Sequence, residues 1–282
     1  MAKPIYIPLL NPIRLMQDGH KYHKPFLDSI PSFESEACFF QPFNNLDLIR
    51  FQLVHEDQLI FTASVIDLEG NTIKSIPALG DDSLGIMLYT FFSGNFTGIP
   101  EGYYLIKVTE SITGVTLYSE PIEIKPLHQN TILIEYTHDQ NDFGMYFTDG
   151  VSNPVKHYFR VQGGFTSDGF TPAAKSDSFV NDDYNVTLLE SKPYFTQKLK
   201  IGDSKGVSNW VADKINRIFS CSTVRFNGQQ WTKTDGAKME PVREDNYPMA
   251  GWTIEVIRAS NSHYDIAGGG DFNNDFNDDF NN

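Results

Sequence analysis

The chain has 282 residues, 40% of them hydrophobic, with 22 basic and 36 acidic side chains and a net charge of −14. That length supports a sizeable core in one large domain or two ordinary ones, and the acidic balance argues against broad contact with nucleic-acid phosphates or an anionic membrane surface. No run of about 18 apolar residues marks a membrane span, no basic start followed by an apolar stretch marks a secretory signal, and Cys38 and Cys221 are too few for a disulfide scaffold or a four-cysteine zinc site.

Residues 1–35 read as an extended N-terminal arm. Pro4, Pro8, Pro12, Pro25 and Pro31 each remove a donor and hold the preceding residue extended. Ile5 to Leu10 suits an edge strand at most, because Pro8 is tolerated only at an edge. An arm with apolar side chains but no periodicity has to lie on its own domain or on a neighbour.

A strand pattern starts at residue 36. Ala37 to Phe40 is short and apolar, Ile49-Phe51-Leu53 and Phe61-Ala63-Val65 alternate with polar residues, and Asp67 to Asn71 signals a turn. Leu84 to Phe92 reads as a strand by its aromatics, as does Tyr103 to Thr109. Ser111 to Gly114 is a hairpin loop, Val115 to Tyr118 returns, and Pro121 makes a bulge or edge before Ile122 and Ile124. Closely spaced strands without a helix predict a β-sandwich over 36–127. Pro100 to Lys125 is similar to the last hairpin of an immunoglobulin-like or fibronectin-type domain, in which Tyr103 or Tyr104 would anchor a corner.

Residues 128–262 predict a second β-rich domain. Thr131 to Thr137 is a strand, Asn141 to Gly144 a turn, and Met145 to Phe147 the return. Tyr158 to Val161 and Tyr194 to Ile201 are further strands, and the Gly-, Ser- and Asp-rich stretch from Gly163 to Asp183 is expected to be a long loop. One helix is predicted over 208–220: Ser208 is the N-cap, Val211, Ile215, Ile218 and Phe219 form one apolar face with Trp210 at its margin, and Asp213, Lys214 and Arg217 lie off it. Asn227-Gly228 marks a hairpin between Val224–Phe226 and Gln229–Thr232, and Trp252 to Ile257 is a last strand.

Residues 263–282 form a Gly/Asp/Phe/Asn tail, with a joint at Gly268–Gly270 and phenylalanines every fourth residue. Phe272, Phe276 and Phe280 are candidate partner anchors, with Asp271, Asp275, Asp278 and Asp279 placed to meet a basic rim.

Motifs for chemistry are sparse. Of the histidines His20, His23, His55, His128, His138, His157 and His263, none falls in a metal-binding motif. His138 to Asp142 lacks the spacing of a calcium loop. Neither a Gly-x-Ser-x-Gly elbow nor a phosphate loop is present, and Cys221 follows the helix instead of opening it. Gly202 to Gly206 reads as a strand-to-helix turn, and Trp231 is a candidate platform for sugar stacking. No catalytic, cofactor-binding or metal-binding residue is assigned, and the chain is read as a non-enzyme.

Thr131 to Thr137, Phe159 to Phe165, the block Lys200-Ile-Gly-Asp-Ser-Lys-Gly-Val-Ser-Asn-Trp-Val-Ala-Asp-Lys-Ile-Asn-Arg-Ile-Phe-Ser-Cys221, Val224 to Gly228 and Trp231 occur in that order. Together they resemble structural proteins of tailed phages and prophages of Bacteroidetes, over roughly residues 36–258 and most specifically around Gly202 to Cys221. The resemblance implies a virion component of the tail, neck or baseplate and supplies no catalytic residues. The expectation is therefore a mainly β protein of two sandwich-like domains with one short helix in the second. It would work as a multicopy ring or collar, assembled in the host cytoplasm into the virion, and touch copies of itself and neighbouring virion proteins without nucleic acid or membrane insertion. A carbohydrate-binding module or adhesin is the alternative.

Overall fold

The structure, a computed structural model, describes residues 4–17, 39–81, 87–148, 154–203, 206–242 and 249–258. The chain is mainly β, with one α-helix among the described residues. No helix of the described residues is long and apolar enough to cross a membrane.

The first half is a sandwich. Its strands are β1 (Leu15–Gln17), β2 (Gln41–Asn44), β3 (Ile49–His55), β4 (Phe61–Ile66), β5 (Thr72–Ile76), β6 (Ala78–Asp81), β7 (Met87–Ser93), β8 (Gly102–Glu110), β9 (Thr116–Ser119) and β10 (Ile122–Lys125). One sheet has the order β3-β7-β6. In the other, β5 pairs β4, β4 pairs β8, and β8 pairs β9 and then β10. β2 joins β10 in parallel and β1 joins β9 antiparallel. Alternation along these strands puts every second side chain inside: Phe51 stacks on its cross-strand partner Phe91 at 4.7 Å, and Ile106 and Val108 of β8 meet Val65 and Ala63 in the same core. Tyr104 is the corner tyrosine, its Oη donating to Pro100 O at 2.9 Å. Tyr103 is half exposed and meets Phe40 edge-on. The break at Pro121 separates β9 from β10, as a missing donor requires. The apolar stretch ending at Phe40 is displaced: the strand is Gln41–Asn44, Phe39 packs on Trp210 in the other core, and 37–38 lie outside the described residues.

The second half is a small barrel. Its elements are β11 (Thr131–Thr137), β12 (His157–Phe165), β13 (Thr171–Val180), β14 (Val186–Ile201), α1 (Asn209–Ile218), β15 (Thr223–Phe226), β16 (Gln229–Lys233), β17 (Glu240–Val242) and β18 (Gly251–Arg258). The order β14-β12-β11-β15-β16-β18 closes on itself, because Thr196–Ile201 of β14 also pair with Trp252–Ile257 of β18. The corner where β12 passes to β14 needs Gly163: its φ is +146°, and a Cβ there would sit 2.3 Å from Lys200 O. Helix α1 follows Ser208, which holds the extended N-cap position without a side-chain cap bond. Val211, Ile215 and Ile218 are buried against β-strand residues such as Phe159 and Phe226. The Asn227-Gly228 turn has φ of +49° and +87°, the two positive values of a type I′ hairpin.

Two expectations fail here. Gly163 to Asp183 is not a loop: β13 occupies Thr171–Val180 and pairs with a β14 that begins at Val186, not Tyr194. Gly, Ser and Asp are poor strand formers and the apolar alternation is absent, since neither face of this ribbon is buried; the ladder bonds alone define it. Met145 to Phe147 makes only a bridge, Asp142 to Met145, although Met145 and Phe147 are core residues.

The N-terminal segment Pro4–Gln17 lies across both halves of its own chain. Tyr6 bridges to Val54, Leu10 is in the barrel core, and Ile13 and Leu15 are in the sandwich core. Asn11 brackets Gln52 with bonds of 2.9 and 3.1 Å to its backbone, and the Gln52 side chain exchanges two 2.9 Å bonds with the Tyr146 backbone. Tyr136 Oη donates to Leu10 O. Arg160 of β12 holds Asp47 through Nε and Nη2 at 2.5 and 2.7 Å, a two-pronged buried pair joining barrel to sandwich.

Candidate functional site

The least accounted-for feature of the chain is the ribbon β13–β14. Outward from Thr196 its strands pair, among the described residues, only with each other, and every residue except the half-buried Ala173 and Phe195 is exposed on whichever face it points to. Ten residues of strand extend about 33 Å at 3.3 Å each. An isolated two-stranded hairpin is marginally stable in water, and exposed strand edges are usually blunted by charge. This ribbon carries Lys175 opposite Lys192 on its shank, but its outer half is apolar. Phe179 and Val180 on one strand face Thr187 and Val186 on the other, and a bulge after Asp177 adds Leu189 beside Leu188. Leu188, Leu189 and Tyr184 are 61%, 62% and 88% exposed. The tip is nonetheless built: Asn181 Oδ1 accepts from the N–H groups of Asp183 (3.1 Å) and Asn185 (2.8 Å), and Tyr184 takes the left-handed conformation at φ +62°. Thr171 to Phe195 holds two lysines, Lys175 and Lys192, against Asp177, Asp182, Asp183 and Glu190, so the ribbon shares the acidic balance of the chain.

A second constellation is internal. Arg14 Nη1 meets Glu120 Oε1 at 2.8 Å, and the Arg14 guanidinium lies 5.1 Å from the Trp210 ring centre. Lys214 Nζ is 4.9 Å from the same ring and 5.3 Å from Phe159, and it donates to Asn11 O. The Trp210 indole N–H and Glu120 Oε2 are buried without a well-formed hydrogen bond, although the indole lies close enough to favour the Glu120 carboxylate. Burial raises Glu120 to about 7 against the opposing charges of Arg14 and Lys214. Burial lowers Lys214 to about 7 against the pull of Glu120. Lys214, expected off the apolar stripe, is therefore inside, with its stem along the Trp210 and Phe159 rings. Above this cluster, Ile7, Pro8, Leu9, Ile13 and Trp210 line a cleft of about 250 Å³ with Arg217 and Asp213 at its edge.

Other candidates resolve more simply. Phe272, Phe276 and Phe280 lie outside the described residues, as do His20, His23, His263 and Cys38. His55 bonds the Asp57 backbone, and His138 Nδ1 accepts from Ser222 N at 3.0 Å. His157 is fully buried between Tyr136 and Phe147, with neither ring nitrogen in a well-formed hydrogen bond. Burial, and then Asp142, push the Cys221 thiol up to about 12, where it is inert. Among the described residues no group of three His, Cys, Asp or Glu side chains is placed to hold a metal ion. Trp231 is no sugar platform: it is buried, with its ring 4.6 Å from that of Phe165. Two open clefts flank Ala237 and Lys238, one of about 590 Å³ with Lys198, Glu240 and Glu255, the other of about 330 Å³ with Trp252, Asn209 and Asn216.

Sequence reasoning missed the ribbon and the Glu120–Lys214 cluster. The ribbon had a signal in the turn-formers Asn181 to Asn185 between Phe179-Val180 and Val186 to Leu189. The cluster had none, because its charged members Arg14, Glu120 and Lys214 are each over 90 residues from the next in sequence. No family model matches the chain, and neither does any curated protein or solved structure.

Proposed function

We propose that this chain is a structural component of a phage virion, a multicopy ring or collar protein of the tail, neck or baseplate that works through protein–protein contacts. The observation that carries the reading is the ribbon: about 33 Å of hairpin whose apolar flanks, Phe179, Val180, Val186, Leu188 and Leu189, stand exposed among the described residues. A projection on one face that fits a different face of the next subunit is a heterologous contact, which closes into a ring or runs on as a filament. The packed N-terminal segment and the Arg160–Asp47 pair hold sandwich and barrel together, as a subunit under assembly load requires. The resemblance of Gly202 to Cys221 to phage structural proteins supplies the virion context.

The test is particle imaging with mass spectrometry of purified virions. Many copies per particle in a cyclic density are expected; absence from particles sinks the reading. The rival, a carbohydrate-binding module or adhesin, rests on the cleft where Trp252 meets Asn209 and Asn216. Binding on a glycan array that is lost in Trp252→Ala would favour it.

A further inference from the structure

The cleft between the N-terminal segment and α1 combines apolar walls with cations on an acidic chain. Its walls are the side chains of Ile7, Leu9 and Ile13 and the Trp210 ring, with Leu9 60% exposed. Arg14, Lys214 and Arg217 bring three cations to it, against Asp213 at the edge and Glu120 beneath. The net local charge is positive on a chain of −14. Arg217 holds Asp213 in an exposed ion pair at 2.8 Å, a kind of contact worth little and exchanged easily. An apolar pocket with a cationic rim fits a bulky apolar side chain next to a carboxylate.

The chain itself carries that pairing three times. Asp271-Phe272, Asp275-Phe276 and Asp279-Phe280 lie in a segment with four aspartates and no lysine or arginine. From Arg258, where the described barrel ends, Phe272 is 14 residues on, a span of up to about 46 Å. Trp252 of β18 lines a cleft together with Asp213 of α1 and stands six residues before Arg258, about 20 Å of strand, so the cleft over Trp210 is within reach. We infer that the C-terminal Asp-Phe-Asn segment docks on its own chain, one phenylalanine filling the cleft over Trp210 and the aspartate before it pairing with Arg217. Three equivalent repeats on one tether raise the occupancy without any new contact.

The experiment is hydrogen exchange with mass spectrometry on the full chain, comparing the native protein with the F272A/F276A/F280A variant and with Arg217→Glu. Docking predicts exchange about tenfold faster over residues 7–14 in both variants, the ratio for a weak site of about 0.1 mM facing a tethered ligand at about 1 mM. Residues 209–218 should follow in the phenylalanine variant, while β11 and β12 stay unchanged as the control for folding. Unchanged exchange over 7–14 in either variant overturns the inference. A ratio that grows with protein concentration overturns it too, because the tail would then sit on a neighbouring copy. None of these outcomes depends on whether the chain forms rings.

Discussion

One strand, β14, lives in two environments. Its last residues, Leu199 to Ile201, are bonded on both sides by β12 and β18, with Leu199 and Ile201 at zero exposure. Its first, Val186 to Tyr194, are bonded among the described residues to β13 alone and are exposed on both faces. The barrel end carries the fold, whereas the ribbon end adds apolar exposure that folding does not need. Contiguous exposed apolar surface of this kind is a mark of interaction sites.

The sharpest way to probe the barrel end is through pH. Burial, aided by the Arg50 charge, holds His157 down to about 3. The unfolded histidine takes up its proton near 6.5, so stability is lost as pH falls from about 6.5 to 3, by up to about 5 kcal/mol. Glu120 acts with the opposite sign: its folded value of about 7 lies above the unfolded one, so it favours the folded state as pH falls through that window. Comparing denaturant unfolding of the native chain and His157→Phe at pH 7 and pH 4 isolates the histidine; equal acid sensitivity in both would refute its role. Next in size, Ile201→Ala should cost about 2–5 kcal/mol, as a cavity in a closed core does. Gly163→Ala should cost about 1–3 kcal/mol, because the corner cannot admit a Cβ beside Lys200 O. At the ribbon end, Leu188→Asn with Leu189→Asn should leave unfolding within about 0.5 kcal/mol of native. It should also remove self-association by light scattering. If this double variant unfolded as readily as Ile201→Ala, the two ends of β14 would not differ as described.

The sandwich was legible because its strands alternate. Phe51, Leu53, Ala63, Val65, Ile106 and Val108 point inward by period alone, and Tyr104 sits where a corner tyrosine should. Helix α1 was legible by the spacing of Val211, Ile215 and Ile218, and the β15–β16 hairpin by Asn227-Gly228. The ribbon was not, because a strand with no buried face writes no apolar period into its residues. Lys214 was misplaced because helical spacing sorts residues by angle, and only the rings of Trp210 and Phe159 show that its stem is covered.

Local pattern thus determined the β class, helix α1, the turns and much of the inward-facing set, since these depend on interactions within a few residues. Tertiary structure alone decided that β14 closes a barrel on β18, that Pro4 to Gln17 straps both halves, and that Arg14, Glu120 and Lys214 meet under one cleft. Those outcomes rest on contacts between residues tens to hundreds of positions apart. They are set by which complete surfaces fit, and no short window of sequence contains that information.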